Sequence, residues 1–195
     1  HQLRLDETRE LITERSFKLM TNVDVDTVIC PNYFGRILWL MQKNPELGVA
    51  AGYPVGEWQD RIAREPQHSG KFIRWKIVRK IEKLWDTCPD TMYNIKARKD
   101  GYATRVFKVP MYHEGPTAGM TETGAFRLGR IAYYAGRPFW AAVLRSLRMA
   151  IIGQHGTAML RGHVTEWIRG TWHCQDSDVR EHFHETPVDT FLTYV

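Results

Sequence analysis

The sequence FKLMTNVDVD, residues 17–26, passes from a short apolar run into two carboxylates separated by a single valine. The apolar run predicts a buried strand that ends in these acids. Side chains alternate across a strand, so Asp24 and Asp26 are expected to point to the same side while Val25 packs the other way. The sequence therefore predicts two carboxylates side by side at the end of a buried strand.

Paired carboxylates are a typical feature of metal sites. Two adjacent carboxylates repel each other, and a cation between them relieves the repulsion. Oxygen ligands with room for water and phosphate suit Mg²⁺ or Mn²⁺, and ligands usually bind at the carboxyl ends of strands in open α/β sheets. We therefore predict a metal site at Asp24 and Asp26. The simpler alternative is a solvated turn in which Asp26 caps the following segment.

Outward from this stretch, strands and helices alternate, which predicts an α/β fold followed by a helical C-terminal tail. Hydrophobic periodicity and Gly/Pro positions set the expected boundaries. Helices are expected over residues 3–16, 33–42, 71–84 and 91–99, strands over 47–51 and 102–111, and helical sequence over 126–169 with breaks at 137–138 and 153–156.

Composition narrows the class of protein. The chain has 195 residues, 43% of them hydrophobic and 25% charged, which is ordinary for a globular domain. The net charge of +5 suits an anionic partner. A solvated helix face explains the basic cluster at residues 74–83, so we expect no nucleic-acid partner.

Three dispersed cysteines indicate a reducing compartment. This predicts a cytoplasmic protein, with peripheral association at the cytoplasmic face of the membrane as an alternative. The sequence has no apolar run of membrane-spanning length.

Four short segments occur in order between about residues 10 and 150. They are the stretch 17–26 with Pro31-Asn32-Tyr33-Phe34, then Trp85-Asp86 with Lys96-Ala97 and Gly101-Tyr102, then Val109-Pro110-Met111-Tyr112-His113, and finally residues 129–138. Together they resemble the metal-binding and acceptor-side segments of family 2 glycosyltransferases. The resemblance implies a partial type-A glycosyltransferase fold, a Rossmann-like mixed sheet with helices, and transfer of a sugar from a nucleoside-diphosphate sugar to a saccharide or lipid-linked acceptor.

The resemblance also implies roles for individual residues, with Mn²⁺ or Mg²⁺ as the cofactor. It assigns Asp24, Asp26 and His113 to the metal, Trp85 to the sugar-binding wall and Asp86 to the general base. The spacing leaves Asp90 as an alternative base, although a helix N-cap explains Asp90 equally well. A turn aspartate is the corresponding alternative for Asp86.

Arg127 and Arg130 follow a Gly/Thr-rich loop over residues 115–124. Closure of that loop would bring them to the pyrophosphate, whose charge they would offset. The alternative is that both arginines solvate a helix face.

One feature departs from the family. Only 23 residues precede Asp24, fewer than the nucleotide-binding half requires. We expect either that the chain is a fragment, that a partner supplies this half, or that transfer activity has been lost. The expected division is a catalytic part over 1–136 and a helical extension over 137–195. The leading function is an inverting glycosyltransferase; the alternatives are a non-catalytic glycosyltransferase-like binding or scaffold subunit and a metal-dependent hydrolase.

The helical extension carries two further patterns. Residues 139–152 form an amphipathic helix with arginines at the edge of its apolar face, which suits either a membrane surface or core packing. His173, Cys174, His182, His184 and Glu185 are suitable zinc ligands, but no C-x-x-C or H-x-x-x-H spacing occurs, so no zinc site is predicted.

Overall fold

A computed structural model describes residues 18–24, 26–55, 65–66, 69–81, 89–113, 116 and 118–185. These residues form a mixed α/β sheet with helices, followed by further helices. The strands are β1 (Leu19–Asn22), β2 (Thr27–Ile29), β3 (Leu47–Val55), β4 (Lys71–Arg74) and β5 (Ala103–His113). The helices are α1 (Tyr33–Lys43), α2 (Trp75–Val78), α3 (Pro89–Lys99), α4 (Glu122–Tyr134), α5 (Phe139–Ile151), α6 (Gly156–Ile168) and α7 (Ser177–Glu185).

The order of the strands across the sheet is β1-β4-β3-β5-β2. Only β3 and β5 are parallel; the other pairs are antiparallel. β1 and β2 are the two edges, yet Asn22 and Thr27 are only five positions apart in the chain. Five residues of fully extended chain reach at most about 18 Å. In a flat sheet, the two outer strands of five would lie about 19 Å apart. The sheet is therefore curled, and the Asp24–Asp26 segment joins its two edges.

Each face of the sheet packs against its own hydrophobic core. Val49 and Ile73 are register partners and both belong to a core completed by α3 and the C-terminal segment. Ala50 and Phe72, the next pair, face the other way into a core built on α1. Apolar residues spaced by four give α1 its buried face, which includes Ile37. The sheet is thus covered by helices on both sides.

The later helices pack on one another and on the sheet domain. Ala125, Ala132, Met149, Ala158 and Met159 form a third core between α4, α5 and α6. α7 packs on α3, where Lys96 bonds to Asp176 at 2.8 Å and to Asp178 at 2.7 Å. Contacts therefore join residues on both sides of the predicted boundary at 136, and that division stays a prediction.

The structure confirms the α/β class and the helix breaks at 137–138 and 153–156. The helix predicted over 71–84 is wrong outside α2 in the described residues. Residues 79–81 follow the end of α2 at Val78, and the first four residues of the predicted helix form β4 between β1 and β3 instead. Two neighbouring strands offer these residues backbone partners, and that pairing overrides a helical pattern in the sequence. The strand predicted over 47–51 continues to Val55, and α7 was not predicted. The helix predicted over 3–16 lies outside the described residues.

Candidate functional site

The Asp24–Asp26 segment is a tight turn. β1 ends at Asn22, and the amide of Thr27 donates a hydrogen bond to the Asp24 carbonyl at 3.1 Å, which closes the turn before β2 begins. The predicted strand is present as β1, but it ends at Asn22, so the expectation that strand alternation places both carboxylates on one side is wrong. The chain turns here to reach the opposite edge of the sheet. Both acidic residues are exposed.

Hydrogen bonds from a neighbouring loop hold the turn in place. The Asp24 amide donates to the Ser69 hydroxyl oxygen at 2.6 Å, and the Gly70 amide donates to the Asn22 carbonyl at 2.7 Å. Gly70 has a φ of 74°, a conformation that favours glycine. These contacts set where the backbone of the acidic turn lies relative to β4.

Tyr33 anchors the same loop to the sheet. Its hydroxyl donates to the Gly70 carbonyl at 2.9 Å and accepts from the Gly52 amide at 2.7 Å. Burial raises the pKa of this phenol, with the hydrogen bond from Gly52 opposing the rise. The Tyr33 side chain, at the start of α1, thus links β3 to the neighbouring loop that holds the acidic turn in place.

His113 lies beside the acidic turn through strand pairing. The sequence placed it just beyond a strand, whereas it is the last residue of β5 and pairs in register with Thr27. Opposed residues in antiparallel strands have Cα atoms about 5 Å apart. Its backbone is therefore next to Asp26 in space, as the predicted metal set requires. The His113 side chain lies outside what the structure describes, and its role stays a prediction.

Two further oxygens lie at the ends of the turn. Asn22 Oδ1 and Thr27 Oγ1 are both buried without a hydrogen-bond partner. Unsatisfied buried polar atoms are rare and usually indicate a missing partner. Oxygen donors next to carboxylates suit Mg²⁺ or Mn²⁺, so this donor set fits the predicted cofactor. Sequence reasoning missed both residues, since neither type suggests a ligand outside its tertiary setting.

Lys71 is a third residue that the sequence pattern did not single out. It is fully buried in β4, pairs in register with Asn22, and has its side-chain nitrogen 3.4 Å from the Pro66 carbonyl oxygen. Lysine is almost never fully buried unless it has partners, so this position depends on the tertiary structure.

The predicted acceptor-side residues are only partly described. Trp85 and Asp86 lie outside the described residues. α3 begins at Pro89, so Asp90 lies within its first turn rather than at the predicted N-cap position. The side chain of Asp90 is likewise outside the described part. The choice between Asp86 and Asp90 stays open.

The two predicted arginines lie on α4 and differ in their surroundings. Arg127 is exposed. Arg130 donates from Nε to Glu166 Oε1 of α6 at 2.6 Å. The Glu166 pKa is lowered mainly by a hydrogen bond from Thr171, with further lowering by Arg130. Arg130 thus joins two helices, and a role in binding pyrophosphate stays a prediction for both arginines.

α5 presents its large apolar side chains to solvent. Its buried residues are Ala141, Ala142, Ser146 and Met149. The opposite stripe follows helical spacing and is exposed: Trp140 49%, Leu144 38%, Leu147 57% and Ile151 84%. Contiguous exposed apolar surface marks an interaction site. The packing face of this helix is built mostly from small residues, and association of the exposed stripe with a membrane surface stays a prediction.

The cysteine and histidines of the tail have separate surroundings. His173 Nδ1 is 2.8 Å from the Tyr133 carbonyl oxygen, and Cys174 is buried in the core beside α3. Within the described part of the chain, no three His, Cys, Asp or Glu side chains are grouped to hold a metal ion. In the same part, no helix is both long enough and apolar enough to span a membrane.

Comparisons with protein-family models, with curated proteins and with solved structures gave no match to this chain.

Proposed function

We propose that this chain carries the catalytic site of a metal-dependent, inverting glycosyltransferase that uses a nucleoside-diphosphate sugar. The observation that carries the proposal is the pairing of Thr27 with His113, since it brings a histidine backbone beside the turn of Asp24 and Asp26. The order of the four family-like segments along the chain supports the same function.

Asp24, Asp26 and His113 would hold Mn²⁺ or Mg²⁺, with the unpaired oxygens of Asn22 and Thr27 at the two ends of the turn. The bound cation would supply Lewis-acid stabilisation to the leaving diphosphate.

The reaction requires a carboxylate base. The acceptor oxygen forms a bond to the anomeric carbon, the bond from that carbon to the diphosphate breaks, and the hydroxyl proton passes to the base. Asp86 is the proposed base, and Asp90, which lies in the first turn of α3, is the alternative.

The exposed apolar stripe of α5 supports a lipid-linked acceptor over a soluble saccharide. A helix with an outward apolar face and arginines at its edge lies naturally at a bilayer surface. Such a face would hold the chain where lipid-linked acceptors are found.

The test is sugar transfer by the protein, screened against nucleotide sugars with Mn²⁺. Asp26→Ala should lower kcat/KM by roughly 10²- to 10⁴-fold. Of Asp86→Asn and Asp90→Asn, the variant that removes the base should lower kcat/KM to a similar extent. Asp100→Asn is the matched control, because Asp100 lies in the turn after α3 and pairs with Lys80. Transfer at the parent rate by all of the site variants would contradict the proposal. Donor binding without transfer would favour the scaffold function.

A further inference from the structure

A cleft of about 670 Å³ lies between α4, α5, α6 and α7. Its walls include the aromatic side chains of Tyr133, Phe139 and Trp167, and its polar lining includes Arg137, His163 and Arg180. None of its lining residues belongs to the predicted metal set or is a candidate base.

Arg137 is a buried cation in the wall of this cleft. Its exposure is 8%, and its guanidinium lies over the Phe183 ring, 5.4 Å from the ring centroid. Among the described residues, no carboxylate forms an ion pair with it and no side-chain hydrogen bond involves it. Its Nε is fully buried and has no partner. Burial, together with the neighbouring charge of Arg145, lowers the pKa of its guanidinium to about 10. A buried, unpaired charge is costly, and buried charges in proteins normally have a partner.

His163 is a second unsatisfied group in the same wall. It is 3% exposed, and its Nδ1 is buried with no hydrogen-bond partner. Its ring packs edge-on against Tyr133, with centroids 5.5 Å apart, and lies 6.0 Å from the Phe139 ring. The imidazole is thus fixed in orientation, with one nitrogen available to a ligand.

The charge balance of the cleft is positive. Arg180 passes over Gly136 and adds a second guanidinium to the lining. Glu181 is the one carboxylate among the described lining residues, and it is bound to Lys99 at 2.6 Å. The cleft therefore combines two arginines and an unsatisfied histidine with no free carboxylate to neutralise them.

We propose that this cleft binds a phosphate group, with Arg137 as its principal ligand and His163 and Arg180 as further donors. Donors on three elements match the several oxygens of a phosphate better than the two oxygens of a carboxylate. The aromatic walls would accommodate an apolar portion of the same ligand. The site is separate from the proposed sugar-transfer site and does not depend on it.

The test is titration with inorganic phosphate and pyrophosphate, followed by tryptophan fluorescence and by the imidazole NMR signals of His163. Arg137→Gln should weaken binding roughly tenfold or more, and Arg180→Gln several-fold, in line with lost charge-assisted hydrogen bonds. Arg161→Gln is the matched control: it removes the same charge from α6, where Arg161 pairs with Glu122 at the surface. The control should bind like the parent.

A second arm compares vesicles that contain phosphatidic acid with vesicles of phosphatidylcholine alone. Binding to the former that depends on Arg137 assigns the phosphate to a lipid headgroup, whereas saturable binding of pyrophosphate in solution assigns it to a soluble ligand. Equal binding by the parent and all three variants, or no saturable binding of either phosphate source, would overturn the proposal. If Arg137→Gln fails to fold, Arg180→Gln and a ligand-induced shift of His163 in the parent decide between these outcomes.

Discussion

Gly129 of α4 and Gly162 of α6 lie at one helix crossing, each against the backbone of the opposite helix. A Cβ on Gly129 would clash with the Met159 carbonyl oxygen, and one on Gly162 would clash with the Phe126 carbonyl oxygen. The two helices approach this closely because neither has a side chain at the crossing. This contact holds together the helices that form much of the phosphate-binding cleft.

Gly129→Ala and Gly162→Ala should each lower the free energy of unfolding by about 1–3 kcal/mol, because the helices must separate to admit a methyl group. Denaturant unfolding measures this change. Gly35→Ala is the matched control: it is also helical, has nothing within 4 Å of an added Cβ, and should raise stability by up to about 1 kcal/mol. Destabilisation by all three substitutions to the same extent would contradict the close crossing.

Binding of Mn²⁺ should depend on the acidic turn. Asp24→Ala and Asp26→Ala each remove an oxygen ligand and should weaken Mn²⁺ binding at least about tenfold, measured by electron paramagnetic resonance of the free ion. His113→Ala should act in the same direction. Asp178→Ala is the control, because that carboxylate pairs with Lys96. Unchanged affinity in the turn variants would remove the metal from the proposed site.

Stability should fall as the pH is lowered from 7 to 5. Burial, followed by the charges of His173 and Arg137, lowers the pKa of His163 below its usual 6.5. The unfolded chain therefore takes up protons that the folded chain excludes, so this contribution to stability is present above the unfolded pKa and is lost as the pH falls. His182 is shifted in the same direction, chiefly by burial and then by Arg98.

Each histidine can add a slope of no more than about 1.4 kcal/mol per pH unit. His163→Gln should flatten the dependence of unfolding free energy on pH, measured by denaturant titration at several pH values. His155→Gln, at an exposed histidine, should leave the slope unchanged. A slope that is identical in both variants and the parent would show that His163 does not carry this effect.

The exposed face of α5 should bind membranes. Leu147→Glu and Ile151→Glu place charges on the apolar stripe, and each should lower partitioning onto anionic vesicles roughly tenfold. Co-sedimentation measures the bound fraction. Val28→Glu is the control, since Val28 is an exposed apolar residue on β2. Equal loss in all three variants, or no vesicle binding by the parent, would argue for a protein partner at this face.

The local pattern of the sequence was enough for the α/β class and for the ends of the later helices. Pro138 and Gly156 mark the starts of α5 and α6 because backbone constraints at proline and glycine act within a few residues. The acidic turn was located correctly in the chain but assigned the wrong geometry. Nothing within residues 17–26 indicates that the next strand lies at the opposite edge of the sheet.

Burial, pairing and exposure of individual side chains depend on contacts between distant segments, so only the tertiary structure decided them. Lys71 is buried because β4 pairs with β1 and β3, and a periodic pattern alone does not reveal its partners. The large apolar residues of α5 face outward because small residues on its other side, such as Ala141 and Ala142, allow close helix packing. Arg137 is buried only because four helices pack around it in the folded protein. Residue patterns thus determined which elements form, whereas long-range packing determined which side chains are buried, paired or available to a ligand.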